Sequence, residues 1–167
     1  MQRTLATKRL AQYQLSALSG DEKMAVLLDF WRTQADDFSN ELSEFLRRHE
    51  FDELESYRAF FDPVITAGLA ERNEIFNNRH LQAALGQFEP TQTVEGDEKQ
   101  AKTRCPCCCF YTLSADAFHE VCPVCLWQND GSAARDYSSA NRSSLFDYQQ
   151  QFWAAHDAAA LAGRYIR

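Results

Sequence analysis

All six cysteines of the chain lie between Cys105 and Cys125. They include two Cys-Pro-x-Cys units, Cys105/Cys108 and Cys122/Cys125, separated by 13 residues. Two residues between paired cysteines let the chain turn tightly enough for both sulfurs to face one point. Pro106 and Pro123 hold φ near −65° inside each turn, which lowers the entropy cost of presenting the sulfurs. Four thiolates in a tetrahedron at about 2.3 Å from a central ion suit zinc, so Cys105, Cys108, Cys122 and Cys125 are the expected metal ligands. The same four-sulfur geometry accepts iron, which stays as the alternative. Disulfides would need an oxidising compartment, and nothing in the sequence suggests export. Metal knuckles commonly carry glycine after the second cysteine. Cys109 and Leu126 stand at those places, which predicts a somewhat different turn geometry.

Cys107 and Cys109 are left over. They are packing residues, or one replaces a neighbour as ligand, or one is a thiol activated by the nearby ion. His119 is the nearest histidine to support a reactive thiol. His49 and His80 have no second ligand three or four residues away, so each reads as a surface or packing residue. His156 reads as the edge of a helix face.

The cysteine turns need elements to bring them together. Phe110-Tyr111-Thr112-Leu113 is aromatic and β-branched and predicts a strand. Ser114-Ala115-Asp116-Ala117 predicts a turn, and Phe118-His119-Glu120-Val121 a return strand. Such a hairpin would place Cys108 and Cys122 at one open end. Beyond a loop opening at Trp127 and an irregular stretch over 132–143, Ser143 or Ser144 should cap a last helix. Leu145, Tyr148, Phe152 and His156 form its stripe, with Trp153 beside them. That helix needs an apolar surface, and the hairpin and Trp127 supply one. A metal knuckle alone buries too little to stand.

The first half of the chain has helical periodicity. A helix is expected over 4–18, with Ala6, Leu10, Tyr13 and Ala17 on one face. Ser19 and Glu22 form a capping box for a second helix carrying Met24, Leu27, Leu28 and Trp31. The short joint predicts an antiparallel helical hairpin. A third helix is expected from near Ala35 to His49, with Phe38, Leu42, Phe45 and Leu46 as its stripe. Asp52 to Glu55 would cap a fourth with Leu54, Tyr57 and Phe61, and Pro63 would end it or begin the next. Val64, Ile65, Leu69, Ile75 and Phe76 add core. Asn77 or Asn78 caps a helix with Leu81 and Leu85, stopped by Gly86. Residues 89–103 hold one large aliphatic residue, Val94, and read as a linker. The expected organisation is thus a helical domain over 1–88, a linker over 89–103, and a metal module with a C-terminal helix over 104–167.

With 167 residues, 45% apolar, the chain can bury a core. Its net charge is −7. Residues 1–90 hold 10 basic and 15 acidic side chains, and the remainder holds 7 and 9, so neither part has a basic footprint for nucleic acid. The acidity favours a protein partner, a basic one in particular. No apolar stretch resembles a signal peptide or membrane span, so a cytoplasmic location without membrane association is expected. Nucleotide-binding Gly-x-x-x-x-Gly-Lys, zinc-protease His-Glu-x-x-His and hydrolase Gly-x-Ser-x-Gly motifs do not occur.

Cys105-Pro106-Cys107-Cys108, Thr112-Leu113, then Cys122-Pro123-Val124-Cys125 followed by Trp127 and Asp130-Gly131, resemble the bacterial cysteine-rich CPCC family. Asn141 with Leu145 and Phe152 resembles that family's asparagine-led terminal helix. The resemblance spans about residues 104–155, and Cys109 departs from the family glycine. It implies a metal-stabilised fold rather than a particular reaction. The expected architecture is α+β, mostly α: a helical bundle followed by a small rubredoxin-like zinc-binding hairpin with a packed terminal helix. The favoured role is a non-enzymatic interaction protein, such as an immunity protein that neutralises a toxin by binding. The alternatives are a nucleic-acid-associated zinc ribbon, and a thiol or redox enzyme using Cys107 or Cys109.

Overall fold

The computed structural model describes residues 1–32, 38–98, 102–115 and 117–167. The architecture is α+β and mostly α, as expected. The chain gathers into two compact units: Met1–Glu74 with Ala84–Val94, and Ile75–Ala83 with Glu95–Arg167. Composition drew divisions at 88 and 103, whereas the packing divides the chain after Glu74, within a helix after Ala83, and after Val94.

In the first unit, α1 (Arg3–Ala17) and α2 (Gly20–Phe30) are followed by α3 (Asn40–Arg48) and α4 (Asp62–Asn73). The Ser19 hydroxyl accepts from the Glu22 amide while the Glu22 carboxylate accepts from the Ser19 amide, so the capping box forms. Ser39 caps α3, and Glu41 and Arg47/Arg48 lie at the ends that suit its dipole. The expected start of that helix near Ala35 lies outside the described residues. Pro63 sits in the first turn of α4, where its missing N–H costs nothing.

Helices α1 and α2 pack chiefly on α4 rather than on each other, so the expected two-helix hairpin is not the organising contact. Small buried residues explain the choice. Ala6, Thr7 and Ala11 on α1 admit α4 closely. Gly68 lets the Phe30 ring lie against the α4 backbone, in space that a Cβ would occupy. Asn73, buried on α4, donates to the Gln14 side chain (3.0 Å) and the Thr7 carbonyl (3.3 Å), so its polar atoms are satisfied. The core holds Leu27, Trp31, Leu42, Phe61, Val64 and Ile65. Leu28, expected in the stripe, is 54% exposed.

The helix expected over Leu54, Tyr57 and Phe61 does not form. Two 3₁₀ turns, Phe51–Glu53 and Ala59–Phe61, stand there instead. Side-chain contacts outcompete helical bonding. The Tyr57 hydroxyl bonds Asp62, Lys23 lies over its ring, and Arg58 covers the Phe45 and Phe61 rings.

The division between the units falls inside α5 (Asn78–Leu85), capped by Asn77, whose Oδ1 accepts from the His80 amide at 2.8 Å. The second unit continues with β1 (Thr103–Arg104), β2 (Tyr111–Leu113), β3 (Tyr137–Ser138), β4 (Ser143–Ser144), α6 (Leu145–Ala155) and α7 (Ala158–Ala162). β1 pairs antiparallel with β2, and β3 with β4. The chain end is tied in on both sides. The Tyr111 amide donates to the Ile166 carbonyl (2.9 Å) and the Ile166 amide to the Ile75 carbonyl (3.0 Å). That pairing is why Ile75 and Phe76, expected in the helical core, belong to the second unit.

The hairpin expected between 110–113 and 118–121 is not made. β2 pairs back with β1, across the first cysteine turn. Residues 119–122 pair forward across the second turn. The Cys122 amide donates to the Trp127 carbonyl (2.9 Å), and the Asn129 amide to the Glu120 carbonyl (2.8 Å). Each Cys-Pro-x-Cys turn reverses the chain by itself, so its own flanks meet at pairing distance. The segment between the turns, whose Asp116 lies outside the described residues, is left to cross from one turn to the other.

Candidate metal centre

Each cysteine turn is closed by the same two backbone bonds. In the first, the Cys105 amide donates to the Phe110 carbonyl (2.9 Å) and the Cys109 amide to the Cys105 carbonyl (3.0 Å). In the second, Cys122 bonds Trp127 and the Leu126 amide donates to the Cys122 carbonyl (2.8 Å). The residue after the second cysteine has positive φ in both: 64° at Cys109 and 63° at Leu126. The expectation that non-glycine residues here would change the turn is therefore corrected. The left-handed conformation is kept, at about 1–2 kcal/mol per residue of steric strain. Ring closure at both ends demands it.

The two turns face each other. The Sγ atoms of Cys105, Cys108, Cys122 and Cys125 all lie within 4.8 Å of one another, and all four residues are buried. Cys105 and Cys125 are 3.6 Å apart at sulfur, as are Cys108 and Cys122. A disulfide needs about 2.05 Å, so the sulfurs are not bonded in pairs. A tetrahedron of sulfurs around zinc has edges of about 3.8 Å. The four cysteines can thus hold one metal ion, and their softness fits zinc or iron.

The sulfurs also show why an ion fits here. In their shared pocket, hydrogen bonding from Cys105, then from Cys122 and Cys125, pushes the Cys108 thiol far up, and burial adds to it. Hydrogen bonds from Cys105, Cys108 and Cys125, with a smaller one from Thr112, pull Cys122 far down. For Cys125, lowering hydrogen bonds with Cys105 and Cys108 are outweighed by those with Cys107 and Cys122 and by burial, and it is pushed up to about 12. The raised Cys108 and Cys125 thiols favour their protonated forms. A divalent cation would displace those protons.

Helix α6 fastens both turns. Its N-cap is Ser144, whose hydroxyl accepts from the Asp147 amide at 3.1 Å. Tyr148 donates to the Cys125 carbonyl (3.0 Å), and Gln149 donates to the Cys107 carbonyl (2.8 Å). Between them the apolar stripe buries Phe152, with Trp153 against Phe110 and Tyr148 edge-on to Trp127. Asn141 acts as a piece of strand. Its Oδ1 accepts from the Gln128 amide (2.7 Å) and its Nδ2 donates to the Gln128 carbonyl (2.9 Å). Gly131 adopts φ 75°, and a side chain there would press on Phe118.

Residues 103–160 match the profile of one family, described as Cysteine-rich CPCC. The resemblance carried by the cysteine units and by Asn141 is borne out over that stretch. Searches of curated proteins and of solved structures returned no significant match.

Within the CPCC segment, Cys107 is fully buried among aromatic and sulfur neighbours, a packing position. Cys109 is partly exposed, and its carbonyl accepts from Arg104 Nε at 3.1 Å. Neither joins the four-sulfur group. His119 is exposed and stacks edge-on against Phe118. His49 bonds Glu53 and stacks on Phe45, while His156 donates to the Phe152 carbonyl. Burial, and then the Arg164 charge, lower the pKa of His80. The sequence reading missed Thr112 and Gln149. The signal for Gln149 was its place on α6 beside the apolar stripe. Thr112 was visible as a β-branched strand residue and as part of the Thr112-Leu113 pair of the family resemblance, not as a neighbour of a ligand sulfur.

Proposed function

We propose that the protein is a zinc-stabilised, non-enzymatic protein–protein interaction protein, and that it neutralises a basic toxin by binding it, as a bacterial immunity protein does. The observation that carries the zinc half is the buried group of four sulfurs at tetrahedral spacing. Four protein thiolates complete a tetrahedral shell and leave no position for a substrate, which is the pattern of a structural site. Zinc in that shell holds both turns and gives α6 a surface to lie on.

The binding half is supported by charge and by exposed apolar side chains. A chain with net charge −7 attracts basic partners over long range. Beside the second cysteine turn, Phe118, Val121 and Leu126 are exposed. Val124, Leu126, Tyr148, Phe152 and His156 line a groove of about 340 Å³. Exposed apolar side chains on a chain of net negative charge suit a partner that brings both basic and apolar groups.

Metal analysis of the purified protein tests the first half, with one zinc per chain expected; an iron-loaded, coloured protein would replace zinc by iron. The second half is tested with the protein encoded beside this one and expressed with it. Calorimetry should find a complex that weakens as salt rises, and co-expression should relieve any toxicity of that neighbour. Absence of both effects counts against the immunity role. Salt-sensitive binding to RNA or DNA in its place would support the nucleic-acid reading.

A further inference from the structure

The metal reading leaves one buried polar side chain without a task. Thr112 lies on β2 and is 2% exposed. Its Oγ1 stands 3.1 Å from the sulfur of Cys122. The register that β1 and β2 adopt across the first turn aims this hydroxyl at a ligand belonging to the second turn. A neutral thiol is a weak acceptor, but a thiolate bound to a cation is a good one. Four thiolates around a divalent ion keep a net negative charge in a dry, low-dielectric pocket. A buried donor aimed at one sulfur spreads that charge, and groups that contact ligands in this way tune how strongly the ligands hold the metal.

We infer that Thr112 donates its hydroxyl proton to the Cys122 thiolate of the ion-loaded site. It thereby orients that sulfur and lowers its electron donation to the metal. Thr112 is then a positioning residue that sets the affinity and the electronic character of the centre. The inference rests on the metal reading above, and its tests separate the two.

The first test uses the unaltered protein loaded with cadmium-113. The Thr112 hydroxyl proton should persist in water and show scalar coupling to the cadmium through the sulfur. A rapidly exchanging proton without that coupling overturns the inference. In the second test, Thr112→Val removes the hydroxyl and keeps the shape. Loaded with cobalt(II), it should show the thiolate-to-cobalt charge-transfer band at longer wavelength, and its zinc affinity should fall about 10-fold. Thr112→Ser should restore both. A valine variant with the parent band and affinity would make Thr112 a packing residue only. If that variant does not fold, the cadmium measurement decides. Failure of the unaltered protein to take up zinc, cobalt or cadmium overturns the metal reading and this inference together; normal loading without coupling overturns this inference alone.

Discussion

The two units are nearly equal in length but are built on different materials. The first has a core of Leu27, Trp31, Leu42, Phe61, Val64 and Ile65, each removing carbon surface from water. In the second, half of the fully buried cluster is cysteine: Cys105, Cys107, Cys108, Cys122 and Cys125, against Phe110, Leu113, Ala117, Trp127 and Phe152. A large apolar side chain contributes about 1.5–3 kcal/mol by burial wherever it finds a surface. Four ligand sulfurs contribute little until an ion joins them. The first core therefore stands on area, whereas the second, on the metal reading proposed above, stands on coordination.

Removing the ion is the largest test of that contrast. Structural zinc supplies about 10–16 kcal/mol of apparent binding energy in small zinc-finger peptides at neutral pH. Chelation, or Cys108→Ser, should abolish the near-ultraviolet signals of Trp127 and Trp153 while the helical far-ultraviolet signal of α1 to α4 persists. Simultaneous loss of both signals would erase the distinction. Acid should act in the same direction. The ion-free site holds protons on Cys108 and Cys125, whose pKa values are raised, and the loaded site does not. The ion-free state thus binds more protons, so zinc occupancy must fall as pH falls. A chromophoric chelator should show release on acidification, with proton uptake.

The converse test is Trp31→Ala. It empties a site surrounded by Phe45, Phe51 and Phe61 and should cost about 3–5 kcal/mol in the first unit, read as a lower midpoint for its helical signal. Zinc content should remain at the parent value. Gly68→Ala is smaller, about 1–3 kcal/mol, because the Phe30 ring must move off α4. An unchanged midpoint would mean that the ring has somewhere else to go.

The smallest expected effect has the opposite sign. Cys109 and Leu126 hold left-handed backbone, and Leu126 does so with its side chain 68% exposed. Leu126→Gly and Cys109→Gly should each raise the chelator concentration needed to strip the ion, through relief of about 1 kcal/mol of strain offset in part by glycine's unfolded-state entropy. A loss of metal retention in Leu126→Gly would show that the leucine packs usefully after all.

Local chemistry was legible where a residue acts on its own neighbourhood. The Ser19–Glu22 box, the caps at Asn77 and Ser144, Pro63 in a first turn and the stripe of α6 each follow from residues a few positions apart. The helix expected at Leu54 to Phe61 failed, despite its i, i+3, i+7 stripe, because Tyr57 and Arg58 found partners elsewhere. The strand pairing expected between 110–113 and 118–121 failed for a different reason. Aromatic and β-branched residues announce a strand but not its partner, and a tight cysteine turn provides a nearer one.

From its residues alone, then, this chain specified which four sulfurs should meet, because two-residue spacing and proline shape each turn without outside help. It also specified an α+β, mostly helical composition through the apolar periods. Folding in three dimensions settled the rest: β2 paired across its own turn, Ile166 lay between Tyr111 and Ile75, and Thr112 aimed at Cys122. The Ile166 contacts join residues far apart in the chain, the β2 pairing crosses the first cysteine turn, and the Thr112 contact spans the segment between the two turns. Their partners are selected by space left after packing and by unpaired backbone groups seeking bonds, neither of which is written at any one position.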